Sequence, residues 1–409
     1  MNFKIKFYNS LTASKQEFSP LEEDLVKMYV CGPTVYDRPH LGNARSIVIY
    51  DLLYRLLLQI YKKVIYVRNI TDVDDKINAR AKELNIPISK LTKNITDLFH
   101  QDILSLNTLI PDHEPLATNH IGDMVKIIEK LIANNHAYVR DSHVLFAVDS
   151  YQNYGKLSRR NLDQMIAGSR VEIASYKNNP LDFVLWKPAE IGDDESTIFP
   201  SPWGNGRPGW HIECSAMSTK YLGENFDIHG GGADLQFPHH ENEIAQSCCA
   251  NPQSNYAKFW IHNGFLTVNG EKMSKSLKNF ITVYDLLSQG ISGIAIRLML
   301  LTSHYRKPFD FNAKALSDAQ KTIEKFNKII DESFILFESQ LDPKQKFNLF
   351  CDKNFISNDI IESLCDDLNF SKTLVILHDL AKNVKNNSGD ITPRKILISS
   401  LDFLGLIEK

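Results

Sequence analysis

Residues 28–43, Met-Tyr-Val-Cys-Gly-Pro-Thr-Val-Tyr-Asp-Arg-Pro-His-Leu-Gly-Asn, decide the fold of this chain. The run from Met28 to Val30 predicts a short buried strand that ends at Cys31, and the turn around His40 leads into a segment with helical spacing of its apolar residues. These residues form a wide stripe on one face of the predicted helix: Ile49, Leu52, Leu53, Leu56, Leu57 and Ile60. Residues 64–67 are β-branched and aromatic and predict a second strand. A βαβ unit of this kind favours a parallel sheet.

Several polar residues follow these two strands. Ligands of open parallel sheets bind at the carboxyl ends of the strands, and Cys31, His40 and residues 69–72 all lie at such ends. A His-x-Gly-x turn at a helix N-terminus offers an imidazole, backbone N–H groups and the positive end of the helix dipole to an anion. The turn of His40, Gly42 and Asn43 therefore predicts a phosphate site.

A second motif with phosphate chemistry is Lys-Met-Ser-Lys-Ser at residues 272–276, in a short polar loop beyond Gly270. Sequences of this kind bring two ammonium groups to the phosphates of a nucleoside triphosphate. The two motifs, in this order, resemble the paired signatures of the class I aminoacyl-tRNA synthetases. This resemblance assigns His40 and Asn43 to the ATP phosphates, and Lys272 and Lys275 to the departing pyrophosphate.

Composition excludes few classes of protein. With 409 residues, of which 43% are hydrophobic and 23% charged, the chain can form roughly two to four domains of a soluble enzyme. The N-terminus lacks the apolar region of a signal peptide, and no apolar run approaches the roughly 20 residues of a membrane helix, so we expect a cytoplasmic protein without a membrane span. The net charge of −3 gives no indication of a nucleic-acid partner. The six cysteines show no regular spacing, and we expect no disulfides.

The predicted architecture is α/β: a Rossmann-like parallel-sheet nucleotide-binding domain, split by an insertion and followed by an all-α C-terminal helical bundle. Residues 72–135 read as mainly helical, and strands are predicted again at 226–229 and 259–261. Apolar periodicity predicts helices at 313–338, 346–351, 355–368, 370–386 and 392–405. The expected divisions are the first half of the catalytic domain at 1–137, a connective insertion at 138–202, the second half of the catalytic domain at 203–258, a stem-contact region at 259–310 and a helical anticodon-side bundle at 311–409.

Four residues suggest a metal site. His239 and Glu243 are four positions apart on a predicted helix and project from the same face. Cys31 lies at the end of the first strand, and Cys214 follows the run Pro-Gly-Trp-His-Ile-Glu. Two thiolates, an imidazole and a carboxylate make a suitable tetrahedral zinc set.

Long sequence blocks narrow the resemblance to the cysteinyl-tRNA synthetase family. These blocks are Cys-Gly-Pro-Thr-Val-Tyr-Asp at 31–37, and the segments 66–77, 209–217, 227–243 and 271–276. The resemblance implies that Cys31, Cys214, His239 and Glu243 hold one Zn²⁺ at the amino-acid pocket. A purely structural zinc would present the same four ligands, and a substrate sulfur would have to add a fifth ligand or displace Glu243.

The family's reaction follows from the same resemblance. It implies that L-cysteine reacts with ATP, accompanied by Mg²⁺, to give cysteinyl-adenylate and pyrophosphate, and that cysteine then passes to the 3′ end of tRNA-Cys. Zinc would separate cysteine from serine, because it prefers a soft thiolate and pocket shape discriminates such similar side chains poorly. No editing domain is expected, and the enzyme is expected to be a monomer.

The resemblance also suggests further contacts. For ATP these are Gly42, Gly230, Gly232, Asp234, Met273 and Lys275. Cys31, Thr71 and Trp210 are the candidates for the cysteine pocket. Instead of lining the cysteine pocket, Trp210 could be an aromatic residue of the core, and Thr71 could cap the end of a strand.

The chain departs from the family pattern at Asn43, where the family has His, and at Lys278, where it has Gly. Asn can donate a hydrogen bond but carries no positive charge. The family usually continues with a small anticodon-contacting domain that is not expected in this chain, so either the chain is truncated or tRNA is read without that domain. Two alternatives stay open: a ligase that joins cysteine to an amino sugar, as in mycothiol synthesis, and an inactive RNA-binding paralogue.

Overall fold

The computed structural model describes residues 3–160, 174–273, 279–337 and 343–408. The predicted pyrophosphate-binding residue Lys275 lies outside these ranges, as does Lys278, and the side chain of Lys272 is likewise not described.

Strands and helices alternate through the first three quarters of the chain, and helices make up the remainder. The strands are β1 (Lys6–Asn9), β2 (Ser14–Glu17), β3 (Leu25–Val30), β4 (Lys63–Arg68), β5 (Ala137–Arg140), β6 (His143–Phe146), β7 (Phe183–Pro188), β8 (Gly206–Pro208), β9 (Asn225–Gly232), β10 (Tyr256–Asn263), β11 (Leu266–Val268), β12 (Glu271–Lys272) and β13 (Phe309–Phe311). The helices are α1 (Leu41–Ile60), α2 (Asp75–Leu84), α3 (Ile88–Ser105), α4 (Ile121–Ala133), α5 (Trp210–Leu222), α6 (Glu241–Ala250), α7 (Val283–Leu287), α8 (Gly293–Leu301), α9 (Ala313–Phe337), α10 (Pro343–Phe350), α11 (Asn358–Cys365), α12 (Phe370–Asn386) and α13 (Ile391–Phe403).

The central sheet has four parallel strands in the order β10-β9-β3-β4. Its strands are mostly buried, as parallel strands covered on both faces are. Val30 pairs with Gly230, and Gly230 pairs with Ile261, so the carboxyl ends of the strands meet at one edge. This edge positions the candidate site.

The described residues form three further sheets. β5, β6, β7 and β8 form an antiparallel sheet in chain order, β1 and β2 form a hairpin, and β11 lies between β12 and β13. Among the described helices, none combines the length and apolar character that a membrane span requires.

Helix α1 lies between the sheet and the C-terminal helices. Its predicted apolar stripe is buried except for Ile60, which is partly exposed, and the helix begins at Leu41 because His40 acts as the N-cap. Polar side chains on α1 are buried as well: Arg45, Asp51 and Arg55 all pair with groups in other parts of the chain. A helix with buried residues all round is typical of a packed interior position.

The C-terminal region consists of helices α9 to α13, close to their predicted bounds. One prediction was wrong: residues 355–368 are not a single helix, since a short 3₁₀ turn covers Lys353–Phe355 and α11 covers Asn358–Cys365. Asp367 and Leu368 have positive φ angles of 62° and 52°, a left-handed conformation that ends a helix. The apolar spacing of this segment does not reveal that break.

Candidate active site and metal centre

A cleft of about 320 Å³ opens at the carboxyl edge of the central sheet. Its lining includes the following residues that the sequence predicts for the site: Cys31, His40, Gly42, Asn43, Trp210, Gly232, Asp234 and Met273. Cys214, His239 and Glu243 are buried beside Cys31, away from the cleft lining. The tertiary structure thus brings the predicted phosphate turn and the predicted metal ligands to one place.

His40 lies at the start of α1, and its side chain organises the first helical turn. Its Nδ1 accepts hydrogen bonds from the backbone N–H groups of Gly42 at 3.0 Å and Asn43 at 3.3 Å. Since Nδ1 is the acceptor, the proton of the neutral ring belongs on Nε2. His40 therefore presents a donor nitrogen opposite its capping nitrogen.

This capping corrects one expectation about the phosphate turn. The N–H of Leu41 donates to the carbonyl of Ile281 at 2.9 Å, and those of Gly42 and Asn43 donate to His40. The backbone donors of the first turn are therefore already used within the protein. A phosphate at this turn would depend on side chains and on the helix dipole.

Asn43 completes a capping box with His40. Its Oδ1 accepts from the backbone N–H of His40 at 3.2 Å, which leaves the Nδ2 group as the donor of this side chain. Gly42 is required for the same arrangement, because a Cβ atom there would lie 2.8 Å from Cε1 of His40. The close neighbour of Gly42 is thus the His40 ring.

The glycines after β9 serve different purposes. A Cβ at Gly230 would lie 2.3 Å from the ring of Tyr50, whose hydroxyl donates to the carbonyl of Ile261 at 2.7 Å. Gly230 is therefore needed for packing beneath the sheet edge. Gly232 and Asp234 line the cleft, and their contact with ATP stays a prediction.

The four predicted metal ligands converge within 4.8 Å of one another. The sulfurs of Cys31 and Cys214 are 3.8 Å apart, and Oε1 of Glu243 lies 3.7 Å from the Cys31 sulfur and 3.1 Å from Nε2 of His239. With zinc–sulfur bonds of about 2.3 Å, two sulfurs of a tetrahedral site are ~3.8 Å apart. The residues present therefore fit a zinc ion.

Glu243 is held firmly in this cluster. Its Oε2 accepts from the hydroxyl of Tyr256 at 2.9 Å and lies 2.8 Å from Nε2 of His229. The ring of Trp260 stacks on His229 with centroids 4.4 Å apart. Such outer partners orient a ligand before a metal binds.

The sequence prediction missed His229 and His240. His240 Nε2 lies 3.3 Å from the Cys31 sulfur, and both histidines belong to a second possible donor set with Cys31 and Glu243. His240 precedes Glu243 by three positions and thus shares its helix face, so the spacing used for His239 could have identified it as well. His229 carries no comparable local signal.

Burial controls the protonation of the donors. It raises the pKa of the Cys31 thiol well above its ordinary value, with a further increase from Cys214. Burial lowers the pKa of His239 to about 3 and that of His240 well below its ordinary value, so both rings are neutral, as a metal ligand must be. Burial also raises the pKa of Glu243, but His229 and the other neighbours outweigh this effect, and the net pKa is lowered.

Trp210 and Thr71 are the remaining candidates for the cysteine pocket. The Trp210 ring is 39% exposed and stacks on His239 with centroids 4.2 Å apart, so it forms a wall between the cluster and the cleft and is not a core aromatic. Thr71 is buried behind the cleft lining and donates to Glu213 Oε2 at 3.1 Å, beside Cys214. Its position is that of a strand-end residue which supports α5.

Comparison with known proteins gives consistent results. The family model "tRNA synthetases class I (C) catalytic domain" matches residues 17–321. A cysteine–tRNA ligase of Rickettsia felis is 52% identical over 414 residues, which cover 100% of this chain and 87% of the relative. A cysteine–tRNA ligase of Rickettsia prowazekii is 53% identical over 411 residues, and the match covers 99% of this chain and 86% of the relative.

Solved structures show the same fold at low sequence identity. Mycobacterium tuberculosis methionyl-tRNA synthetase in complex with methionyl-adenylate has a TM-score of 0.60 at 14% identity and covers 94% of this chain and 82% of its own. The ternary complex of Agrobacterium radiobacter K84 agnB2 LeuRS with tRNA and LeuAMS has a TM-score of 0.63 at 11% identity. The match covers 95% of this chain and 83% of the LeuRS chain. The parallel sheet and the helical C-terminal region predicted from the sequence are confirmed as those of a class I synthetase. On the match to the family model and the identity to its relatives, the chain belongs to the class I aminoacyl-tRNA synthetases and, within them, to the cysteine–tRNA ligase family.

Proposed function

We propose that this enzyme activates L-cysteine with ATP and transfers it to tRNA-Cys, and that zinc held by Cys31, Cys214, His239 and Glu243 selects the cysteine side chain. The observation that carries this proposal is the convergence of these four donors beside the cleft of the His40 turn. Cys31 connects the metal centre with the cleft, since it is one of the four donors and also lines the cleft.

When bound, zinc would supply a soft Lewis acid that lowers the pKa of a coordinated thiol, for which a serine hydroxyl is a poor substitute. The protein itself determines where the four donor atoms lie. Cys214, His239 and Glu243 are buried, and Cys31 is the donor that reaches the cleft lining. Trp210 covers His239 and limits the access of water to the donors from the cleft.

Activation requires alignment of two substrates. A carboxylate oxygen of cysteine attacks the α-phosphorus of ATP, the bond from this phosphorus to the bridging oxygen breaks, and pyrophosphate leaves with the electron pair. His40 Nε2–H and Asn43 Nδ2 supply neutral donors to the phosphates at the positive end of α1. Lys272, Lys275 and Mg²⁺ are assigned to the charge that develops on pyrophosphate.

Transfer is the second half of the reaction. A ribose hydroxyl at the 3′ end of tRNA attacks the carbonyl carbon of the adenylate, an ester bond forms, and the bond to the phosphate oxygen breaks. AMP leaves with that electron pair, and the hydroxyl proton passes to a phosphate oxygen or to solvent. Both substrates must therefore reach the same cleft, and proximity supplies much of the rate.

The proposal is tested by ATP–pyrophosphate exchange with cysteine and with serine, together with metal analysis of the same preparation. We expect one zinc per chain and exchange that depends on cysteine. Cys214→Ser should lose zinc and reduce exchange by more than the roughly 10- to 100-fold that removal of an outer partner costs. Cys365→Ser, a buried cysteine of α11 outside the cluster, is the matched control and should keep both.

Other results would overturn parts of the proposal. Wild-type exchange in a Cys214→Ser variant that has lost its zinc would exclude the metal from cysteine selection, and a wild-type zinc content would exclude Cys214 as a ligand. Exchange without transfer to tRNA would favour the ligase that uses an amino sugar. A folded, zinc-loaded protein without exchange would favour the inactive RNA-binding paralogue.

A further inference from the structure

Part of the cleft is lined by residues to which the reaction described above assigns no role. Tyr36 and Arg38 lie in the loop after β3, and Lys76, Ile95 and Phe99 come from α2 and α3. This lining combines aromatic rings with cations, whereas the residues predicted for ATP come from the His40 turn, the end of β9 and Met273. The two linings belong to one continuous cleft.

Arg38 is fixed in place by a buried partner. Its Nε and Nη2 atoms donate to the two carboxylate oxygens of Asp102 at 2.8 and 2.7 Å, and Asp102 is 1% exposed. This bidentate pair sets the plane of the guanidinium group. The same group lies 4.0 Å from the ring centroid of Tyr284.

Tyr284 is an exposed aromatic residue beside the phosphate turn. It is 51% exposed although one face of its ring is covered by Arg38. The preceding residues connect directly to the His40 turn: Thr282 forms a bridge with His40, and Ile281 accepts from the N–H of Leu41 at 2.9 Å. A half-exposed ring therefore lies against Arg38 of the cleft lining, in a segment that is bridged to the His40 turn.

Such a ring is a suitable platform for a nucleic-acid base. Single-stranded RNA is recognised by stacking of its bases on aromatic rings and arginine planes, with nearby cations for the phosphates. Lys76 is exposed, and its Nζ lies 5.7 Å from the ring centroid of Tyr36 in the same lining. The chemistry of this region fits a short unpaired strand.

We propose that Tyr284, supported by Arg38, stacks on a base in the unpaired 3′ end of tRNA, and that Lys76 contacts its backbone. This inference rests on the proposed function, because transfer requires that strand to enter the cleft beside the adenylate. Tyr284 then positions the terminal ribose hydroxyl. It does not take part in the chemical step.

The test is a set of equilibrium affinities at one salt concentration, since RNA affinity depends on salt. Wild type and Tyr284→Ala are each measured with full-length tRNA-Cys and with the same transcript lacking its three terminal 3′ nucleotides. We expect Tyr284→Ala to weaken binding of the full transcript roughly 5- to 150-fold, the range for loss of one base–aromatic stack, and to leave the truncated transcript unaffected. Tyr284→Phe keeps the ring and should bind as the wild type does.

Leu58→Ala, an exposed apolar residue of α1, is the control for loss of surface area and should change neither affinity. Equal losses on both transcripts, or no loss on the full one, would overturn the inference. A raised KM for ATP with unchanged tRNA affinity would assign the ring to the adenine of ATP and would also overturn it. Charging of tRNA-Cys by the wild type is measured first, because its absence would refute the proposed function. If the wild type charges tRNA-Cys but Tyr284→Ala does not weaken binding of the full transcript selectively, only the role of Tyr284 is refuted.

Discussion

At the scale of single residues, the capping box of His40 and Asn43 links stability to substrate binding. His40 Nδ1 caps the helix, and Asn43 Oδ1 returns a hydrogen bond to the backbone of His40. The Nε2 atom of His40 and the Nδ2 group of Asn43 are not used in the capping box, and both residues line the cleft. The same two residues thus hold the turn in shape and provide its polar groups.

Two substitutions at Asn43 separate these roles. Asn43→Ala removes the box and should lower the free energy of unfolding by about 1 kcal/mol and raise the KM for ATP. Asn43→Asp keeps an acceptor for the His40 N–H and adds a favourable charge at the helix N-terminus, so stability should be retained while the KM for ATP rises. Urea unfolding and exchange kinetics measure the two effects. A wild-type KM in the Asn43→Asp variant would show that this side chain does not contact the phosphates.

At the scale of elements, Arg45 attaches α1 to the segments after β10 and α8. It is fully buried, its Nη1 donates to the carbonyl of Gly264 at 2.6 Å, and its Nη2 donates to that of Lys307 at 2.9 Å. Burial lowers the pKa of Arg45 to about 10, so the guanidinium is still charged at neutral pH. Backbone carbonyls compensate this charge, and the first turn of α1 is thereby held against the edge of the cleft.

Replacement of this side chain tests the attachment. Arg45→Met should lower the free energy of unfolding by about 3 kcal/mol or more, because hydrogen bonds to a charged group are lost and buried carbonyls are left without donors. Arg80→Met removes an arginine from the partly exposed pair with Glu83 and should cost less than about 1 kcal/mol. Urea denaturation of both variants gives the comparison. Similar losses in the two proteins would show that the carbonyl contacts of Arg45 contribute little.

At the scale of the whole molecule, a buried charge cluster joins the catalytic region to the C-terminal helices. Asp51 of α1 accepts from Arg55 and from Arg297 of α8, and Arg297 Nε donates to the carbonyl of Leu404 at 2.9 Å. Burial raises the pKa of Asp51, but the charges of Arg297 and Arg55 outweigh it, and the net pKa is lowered. The carboxylate therefore stabilises the fold only while it is ionised.

The pH dependence of stability follows from that direction. The contribution of Asp51 is fully present above the unfolded pKa of about 3.9 and is lost as the pH falls through that value toward the lower folded pKa. Asp51→Asn should lose about 3–5 kcal/mol at pH 7, because Arg297 is left buried without its partner, and should show a smaller loss of stability between pH 5 and pH 3 than wild type. Melting temperatures across that range measure both effects. Asp379→Asn, from an exposed pair, is the control and should match the wild type at every pH; an unchanged acid slope in Asp51→Asn would contradict the linkage.

The features that the sequence alone determined depend on residues that are close together along the chain. The strand–helix–strand unit, the apolar stripe of α1, the phosphate turn and the pair of His239 and Glu243 all rest on residues within a few turns of one another. Hydrophobic periodicity and spacing report such local relations directly. The family resemblance depends on the same short blocks.

Only the tertiary structure decided which atoms meet. Cys31 and Cys214 approach because α5 packs against the end of β3, and His229 joins the cluster because β9 pairs with β3. His240 joins it from the turn that precedes α6. The use of the first-turn amides by His40 also depends on a side-chain rotamer that no spacing predicts. These contacts arise between segments far apart in the chain, and their distances are set by packing in three dimensions.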